Sequence, residues 1–124
     1  MITIKFDTQE REILKEIIAL GNSQYKNDFP EIGKVIYNKI RIEIFHFNKK
    51  EIQVLKSYIS NWMNNYDILI VELREKYLEK ELIDYSIISE VEKENMKKIN
   101  IVFSIKSKLF DKNYKTFKNI LERF

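Results

Sequence analysis

The stretch FDTQEREILKEI, residues 6–17, returns in altered form as FNKKEIQVLKSY, residues 47–58. Each copy sets an Asp or Asn three residues before a Glu, and an apolar run at helical spacing follows. Asp7 with Glu10, and Asn48 with Glu51, have the spacing of a capping box, in which each residue satisfies an orphan amide at the start of a helix. Ile13, Leu14, Ile17 and Ile18 then mark one helix face, and Val54, Leu55, Tyr58, Ile59 and Trp62 mark another. Gly21 is placed to end the first helix in a left-handed turn. A weaker echo, KLFDKNYKTFKNIL, puts Asp111 where it caps a terminal helix.

Before each cap the pattern changes to a period of two. Ile2, Ile4 and Phe6 alternate with Thr3 and Lys5, as in a half-buried strand. Ile40, Ile42, Ile44 and His46 share one face of a second strand, with Phe45 and Phe47 on the other, which suits a central position. Between the copies, Asp28, Pro30 and Glu31 start a helix that turns Ile32, Val35, Ile36 and Ile40 inward. Asp67 caps a further helix to about Leu82, with Ile68, Val71, Leu78 and Leu82 as its inner face.

The stretch SIISEVEKENMKKINIVFSIKS reads as a hairpin turning near Glu94 to Lys98, because Ile99, Ile101, Phe103 and Ile105 alternate. Residues 86–92, its outgoing strand, could instead extend the preceding helix. The expected fold is therefore α+β, in the order β-α-α-β-α-α-β-β-α. Helices pack on a mainly antiparallel sheet of three to four strands. The 124 residues suit one domain, 1–124, and two glycines with one proline favour regular elements joined by short connections.

Composition removes several chemistries. Without cysteine the chain has no disulfide, thiol nucleophile or zinc-thiolate site. His46 is the sole histidine, and a catalytic role would need a carboxylate such as Glu43 or Asp7 to orient it. No phosphate-cradling glycine motif or metal-ligand motif occurs, so no cofactor and no metal are expected, and a non-enzymatic role is the leading expectation. The aliphatic run Ile68 to Val71 is too short to span a bilayer, and the N-terminus meets charge too soon for a signal peptide. Those features point to a cytoplasmic protein with no membrane partner. Heavy use of Ile, Lys and Asn beside the single Ala19 fits an AT-rich genome, such as a low-GC bacterium or one of its phages.

Charge is unevenly spread within the net +3. Residues 67–92 carry three basic and eight acidic side chains, a balance of −5, whereas residues 93–124 carry nine basic and three acidic, a balance of +6. Glu72, Glu75 and Glu79 share one helix face, which suits a hard cation or, with Lys76 and Lys80 adjacent, a solvated ion-pair face; the acidic stretch from Asp67 to Glu92 is either a solvated helix or an imitation of a phosphate backbone. Lys106 and Lys108, on the strand of the hairpin, join Lys112, Lys115 and Lys118 on the terminal helix, opposite Tyr114, Phe117, Ile120, Leu121 and Phe124. Tyr25, Phe29, Tyr66, Tyr77 and Tyr85 lie near element ends, where tyrosine suits an interface.

The leading expectation is a non-catalytic interaction protein, in the manner of a phage or mobile-element inhibitor or regulator. Its partner would be a protein or ribonucleoprotein met through charged surfaces, and a homodimer is compatible with this. The alternative is a nucleic-acid-binding protein that uses the basic third from Lys93 to Arg123. An enzyme centred on His46 is the third class.

Overall fold

The computed structural model describes residues 1–24, 31–78, 85–111 and 117–122, apart from the side chains of Tyr85, Lys118 and Asn119. Helices dominate it. Strand β1 (Ile2–Thr3) leads to α1 (Thr8–Gln24) and α2 (Ile32–Arg41), and β2 (His46–Phe47) to α3 (Lys49–Asn64) and α4 (Asp67–Leu73). A π-helical turn (Arg74–Leu78) continues α4, and a 3-10 turn (Tyr85–Ile87) precedes the long α5 (Glu90–Phe110) and the short α6 (Lys118–Leu121).

The expected three- to four-stranded sheet with helices packed on it is not what forms. Among the described residues the sheet is a two-stranded antiparallel ribbon, with Ile2 opposite Phe47 and Thr3 opposite His46. The residues read as hairpin strands belong to α5. Ser89 accepts from the Glu92 amide while the Glu92 side chain accepts from the Ser89 amide, so a capping box starts this helix. A hairpin would have left Met96 in its turn and Val102 on the face opposite Phe103, yet both are 0% exposed. Helical spacing buries Met96, Ile99, Val102, Phe103, Ile105 and Leu109 together; the alternating run shares Ile99, Phe103 and Ile105 with that pattern, while Ile101 is half-buried.

The second strand is likewise shorter than expected, because Ile40 is the last core residue of α2. Glu43 then takes a left-handed conformation (φ 62°), and the amides of Glu43 and Ile44 bond back to the carbonyls of Ile40 and Lys39. Val35 is exposed, although Ile36 and Ile40 are fully buried as expected. The expected helix-start residues Asp28 and Pro30 lie outside the described residues; Glu31 flanks α2 without a side-chain cap bond. Asp111 does not start a helix but closes α5 in the left-handed region (φ 51°).

Gly21 does not end α1, which runs on to Gln24. Its missing side chain serves a close approach instead: a Cβ there would stand 2.5 Å from the Tyr58 ring. Tyr58 in turn donates to Asn22 Oδ1 at 2.8 Å, and α1 packs on α2, α3 and α5 around these contacts. Leu14, Ile17 and Ile18 of α1, Leu55 and Ile59 of α3, and Ile99 of α5 belong to one continuous buried cluster. Phe117 and Ile120 bring α6 into the same cluster.

Both capping boxes foreseen in the repeated phrase form. Asp7 and Glu10 exchange amide bonds at 2.9 and 2.8 Å, and Asn48 and Glu51 do so at 2.8 Å each. Each Glu is buried, at 1% exposure for Glu10 and 3% for Glu51, and each is met by a lysine from another helix. Lys108 of α5 also donates to the Lys5 carbonyl, and Lys39 of α2 to the His46 carbonyl. Both carbonyls sit two residues before the cap. The repeated phrase is thus one structural module used twice, its two strands paired with each other.

Candidate interaction surfaces

Several described lysines of the basic pole expected on residues 93–124 bind within the fold. Lys106 and Lys108 stand on α5, not on a strand. Lys108 binds the buried Glu10 carboxylate, which also accepts from Ser104 Oγ at 2.6 Å, so this lysine fastens α5 to the start of α1. Lys93 pairs with Glu90 at 3.0 Å, Lys97 with Glu94 at 3.2 Å and Lys98 with Glu16 at 3.1 Å. Lys106 is half-buried, its ammonium 5.9 Å from the Phe110 ring centre. Lys112 and Lys115 lie outside the described residues, as does the side chain of Lys118.

The acidic face is built differently. Ile70, Leu73 and Tyr77 carry the inner side of α4 and the turn after it, so the chain is rotated from the expected arrangement. Ile68 and Val71, expected to face inward, are 77% and 51% exposed. Ile70, Leu73 and Tyr77 recur at helical spacing, so they form the inner face and leave Ile68 and Val71 outside it. Ile68 and Val71 line a shallow hollow of about 240 Å³ with Asp67 and Glu72. Glu75 is exposed one turn on, and Glu79 lies outside the described residues.

Arg74 and Lys76, the described cations of this segment, are engaged elsewhere. Arg74 lies over the Phe103 ring, 5.2 Å from its centre, and Lys76 binds Glu92 at 3.0 Å. Asp67, Glu72 and Glu75 have no ion pair among the described residues.

Glu92 anchors this surface to α5. Tyr77 donates to its Oε2 at 2.8 Å while its Oε1 accepts from the Ser89 amide at 3.1 Å. Burial pushes the Glu92 carboxyl up, but the bonds from Ser89, Tyr77 and Lys76 outweigh it and hold the group down at about 2. Burial and the bond to Glu92 both raise the Tyr77 hydroxyl above its ordinary value. The hydrogen bond to Glu92 likewise raises the Lys76 ammonium.

His46 stands apart from the carboxylates expected to orient it. Its Nδ1 lies 2.8 Å from Thr3 Oγ1, across the two-stranded ribbon. Glu43 pairs instead with Arg11, and Asp7 caps α1. No three His, Asp or Glu side chains converge to hold a metal ion among the described residues. Of the tyrosines expected at an interface, Tyr77 is buried and Tyr66 stacks on Trp62 at 4.1 Å. Tyr25, Phe29 and the side chain of Tyr85 lie outside the described residues.

Sequence reasoning missed a groove along α3. Lys50, Gln53, Lys56 and Ser57 line it over Val54, enclosing about 400 Å³ without a carboxylate. A signal was present in the second copy of the phrase, where two lysines fill the first helical positions that hold Thr8 and Gln9 in the first copy. No helix among the described residues is long and apolar enough to cross a membrane. Comparison with protein-family models, with curated proteins and with solved structures finds no match to this chain.

Proposed function

We propose that the chain is a non-catalytic interaction protein that engages a larger protein partner through the outer face of α4. The observation that carries this reading is the pairing of exposed Ile68 and Val71 with Asp67, Glu72 and Glu75, which have no ion pair among the described residues. Apolar side chains gain by leaving water, roughly 25 cal/mol per Å² buried. Unpaired carboxylates around them steer a basic partner and fix its register more than they add affinity. Such a surface has the chemistry of an interface, an apolar centre with a charged rim. The fold holds this face rigid from behind through Tyr77, Lys76 and Glu92.

The test is affinity capture by the tagged protein, with and without nuclease, repeated with Val71→Lys/Glu75→Lys. A partner that survives nuclease and is lost with the double variant, at unchanged melting temperature, supports the α4 face. The same partner retained by the double variant overturns it.

A further inference from the structure

We propose that the groove along α3 is a binding site for the phosphodiester backbone of a nucleic-acid strand, independent of the α4 face. Its lining holds no carboxylate and offers cations and donors, Lys50 and Lys56 with the Gln53 amide and the Ser57 hydroxyl, over the apolar floor of Val54. Phosphate oxygens take hydrogen bonds from these side-chain types, and lysine neutralises them as a point charge. Gln53 and Ser57 are exposed and hold no hydrogen bond among the described residues, so both are free to turn to a ligand.

The charge distribution separates this groove from the rest of the surface. Among the described residues several other lysines pair off, Lys15 with Glu12, Lys39 with Glu51, Lys98 with Glu16 and Lys108 with Glu10, whereas Lys5 and Lys34, each without an ion pair, lie on separate segments. Lys49, Lys50 and Lys56 form no ion pair among the described residues, although they fall within eight residues of one helix. Lys49 and Lys50 also occupy the start of α3, where the helix dipole opposes positive charge. Stability does not account for two lysines there, whereas attraction of a polyanion does.

The extent of the basic strip favours a chain of phosphates over a single anion. From Lys50 to Lys56 the helix advances about 9 Å, at 1.5 Å per residue. The strip then crosses Phe110, whose ring centre lies 5.0 Å from the Lys56 ammonium and 5.9 Å from that of Lys106 on α5. No arginine lines the groove, so bidentate reading of base edges is not built in and binding is expected to be independent of sequence.

The test is fluorescence polarisation of the full chain with a labelled single-stranded oligonucleotide of mixed sequence, at about 50 and about 200 mM salt. Affinity is expected to fall about tenfold or more over that range, since lysine–phosphate contacts release counterions. Lys50→Glu/Lys56→Glu should weaken binding about tenfold at low salt and flatten the salt slope, while the exposed Lys34→Glu on α2 changes affinity less than about twofold. Lys50→Gln/Lys56→Gln, which removes the charges without reversing them, provides the same readout should the reversal impair folding. No binding at low salt overturns the proposal, as does binding that the groove variants leave unchanged. Polyglutamate competing as well as unlabelled oligonucleotide also overturns it, because the groove would then take carboxylate-rich protein. The salt titration and the capture experiment on α4 use different variants, so either reading can fail alone.

Discussion

The ammonium of Lys108 meets the carboxylate of Glu10 across 98 residues of sequence, inside the cap that starts α1. Lys39 holds the same relation to Glu51 at the start of α3, 2.9 Å from both carboxylate oxygens. Only the contact to Oε1 is aligned as a hydrogen bond; Oε2 accepts none and gains a purely ionic contact. Each lysine also lies 5.7 Å from the ring centre of the phenylalanine before the cap, Lys108 over Phe6 and Lys39 over Phe47. A helix start is thereby tied to a second helix by one side chain that serves carboxylate, carbonyl and ring together. A lysine so placed belongs to the fold and not to a partner.

Removing either lysine should therefore cost stability. Lys108→Met leaves the Glu10 carboxylate buried with less compensation, and a buried acceptor that loses its donor costs about 1–3 kcal/mol. Lys39→Met is expected to behave alike at Glu51. Urea denaturation of both variants gives these values, and the double variant should be close to additive because the two pairs have separate partners. A neutral Lys108→Met would contradict the geometry.

Acid should release the anchor beneath the α4 face. Glu92 is held at about 2, below its ordinary value of 4.5, so its contribution is complete above about pH 4.5 and fades as the pH falls toward 2. The stability advantage of the native chain over Glu92→Gln should shrink across that window and stay constant above it. Tyr77→Phe removes one of the bonds that lower the carboxyl, so its titration should move upward. NMR observation of the Glu92 carboxyl carbon in both backgrounds reads this directly.

Gly21 reports on the packing of α1 against α3. Alanine is the better helix former by roughly 1 kcal/mol. Its methyl group would nevertheless meet the Tyr58 ring at 2.5 Å, and overpacking costs about 1–3 kcal/mol. Gly21→Ala should therefore destabilise, and much of that loss should vanish in a Tyr58→Leu background. Thermal melts of the four-member cycle decide it.

Legibility followed the range of each interaction. The capping boxes Asp7–Glu10 and Asn48–Glu51 could be read because their partners lie three residues apart, and the α3 core face because its period is intact. The α5 helix was readable too, since Ser89 and Glu92 form the same signal, but the alternation from Ile99 to Ile105 drew the reading toward a strand. Helical and strand periods overlap in a run this apolar, and the burial of Val102 decides between them only once tertiary contacts exist. The outward turn of Ile68 and Val71 was not legible, because Ile70, Leu73 and Tyr77 mark a competing inner face with the same helical period. Pairing of Lys108 with Glu10 spans nearly the whole chain, so the engagement of Lys108 within the fold could not be read from sequence. Ser89→Ala tests the corrected element: loss of a cap costs about 1 kcal/mol and should lower helicity, whereas a hairpin would be indifferent.

Lys49 and Lys50 offer the sharpest separation of stability from binding. Both are exposed in the first turn of α3, where the amides point outward and the dipole favours negative charge. Replacing both by glutamate exchanges an unfavourable charge for a favourable one at each position. The expected gain is about 0.3–1 kcal/mol per site at low ionic strength, and it should shrink as salt is added. Chemical denaturation at two salt concentrations measures it. If the double variant is more stable than the native chain and yet loses oligonucleotide affinity, the lysines are kept at the cost of folding free energy for the ligand they attract. If it is less stable, the two side chains support α3 by contacts of their own, and the case for the groove loses its energetic argument.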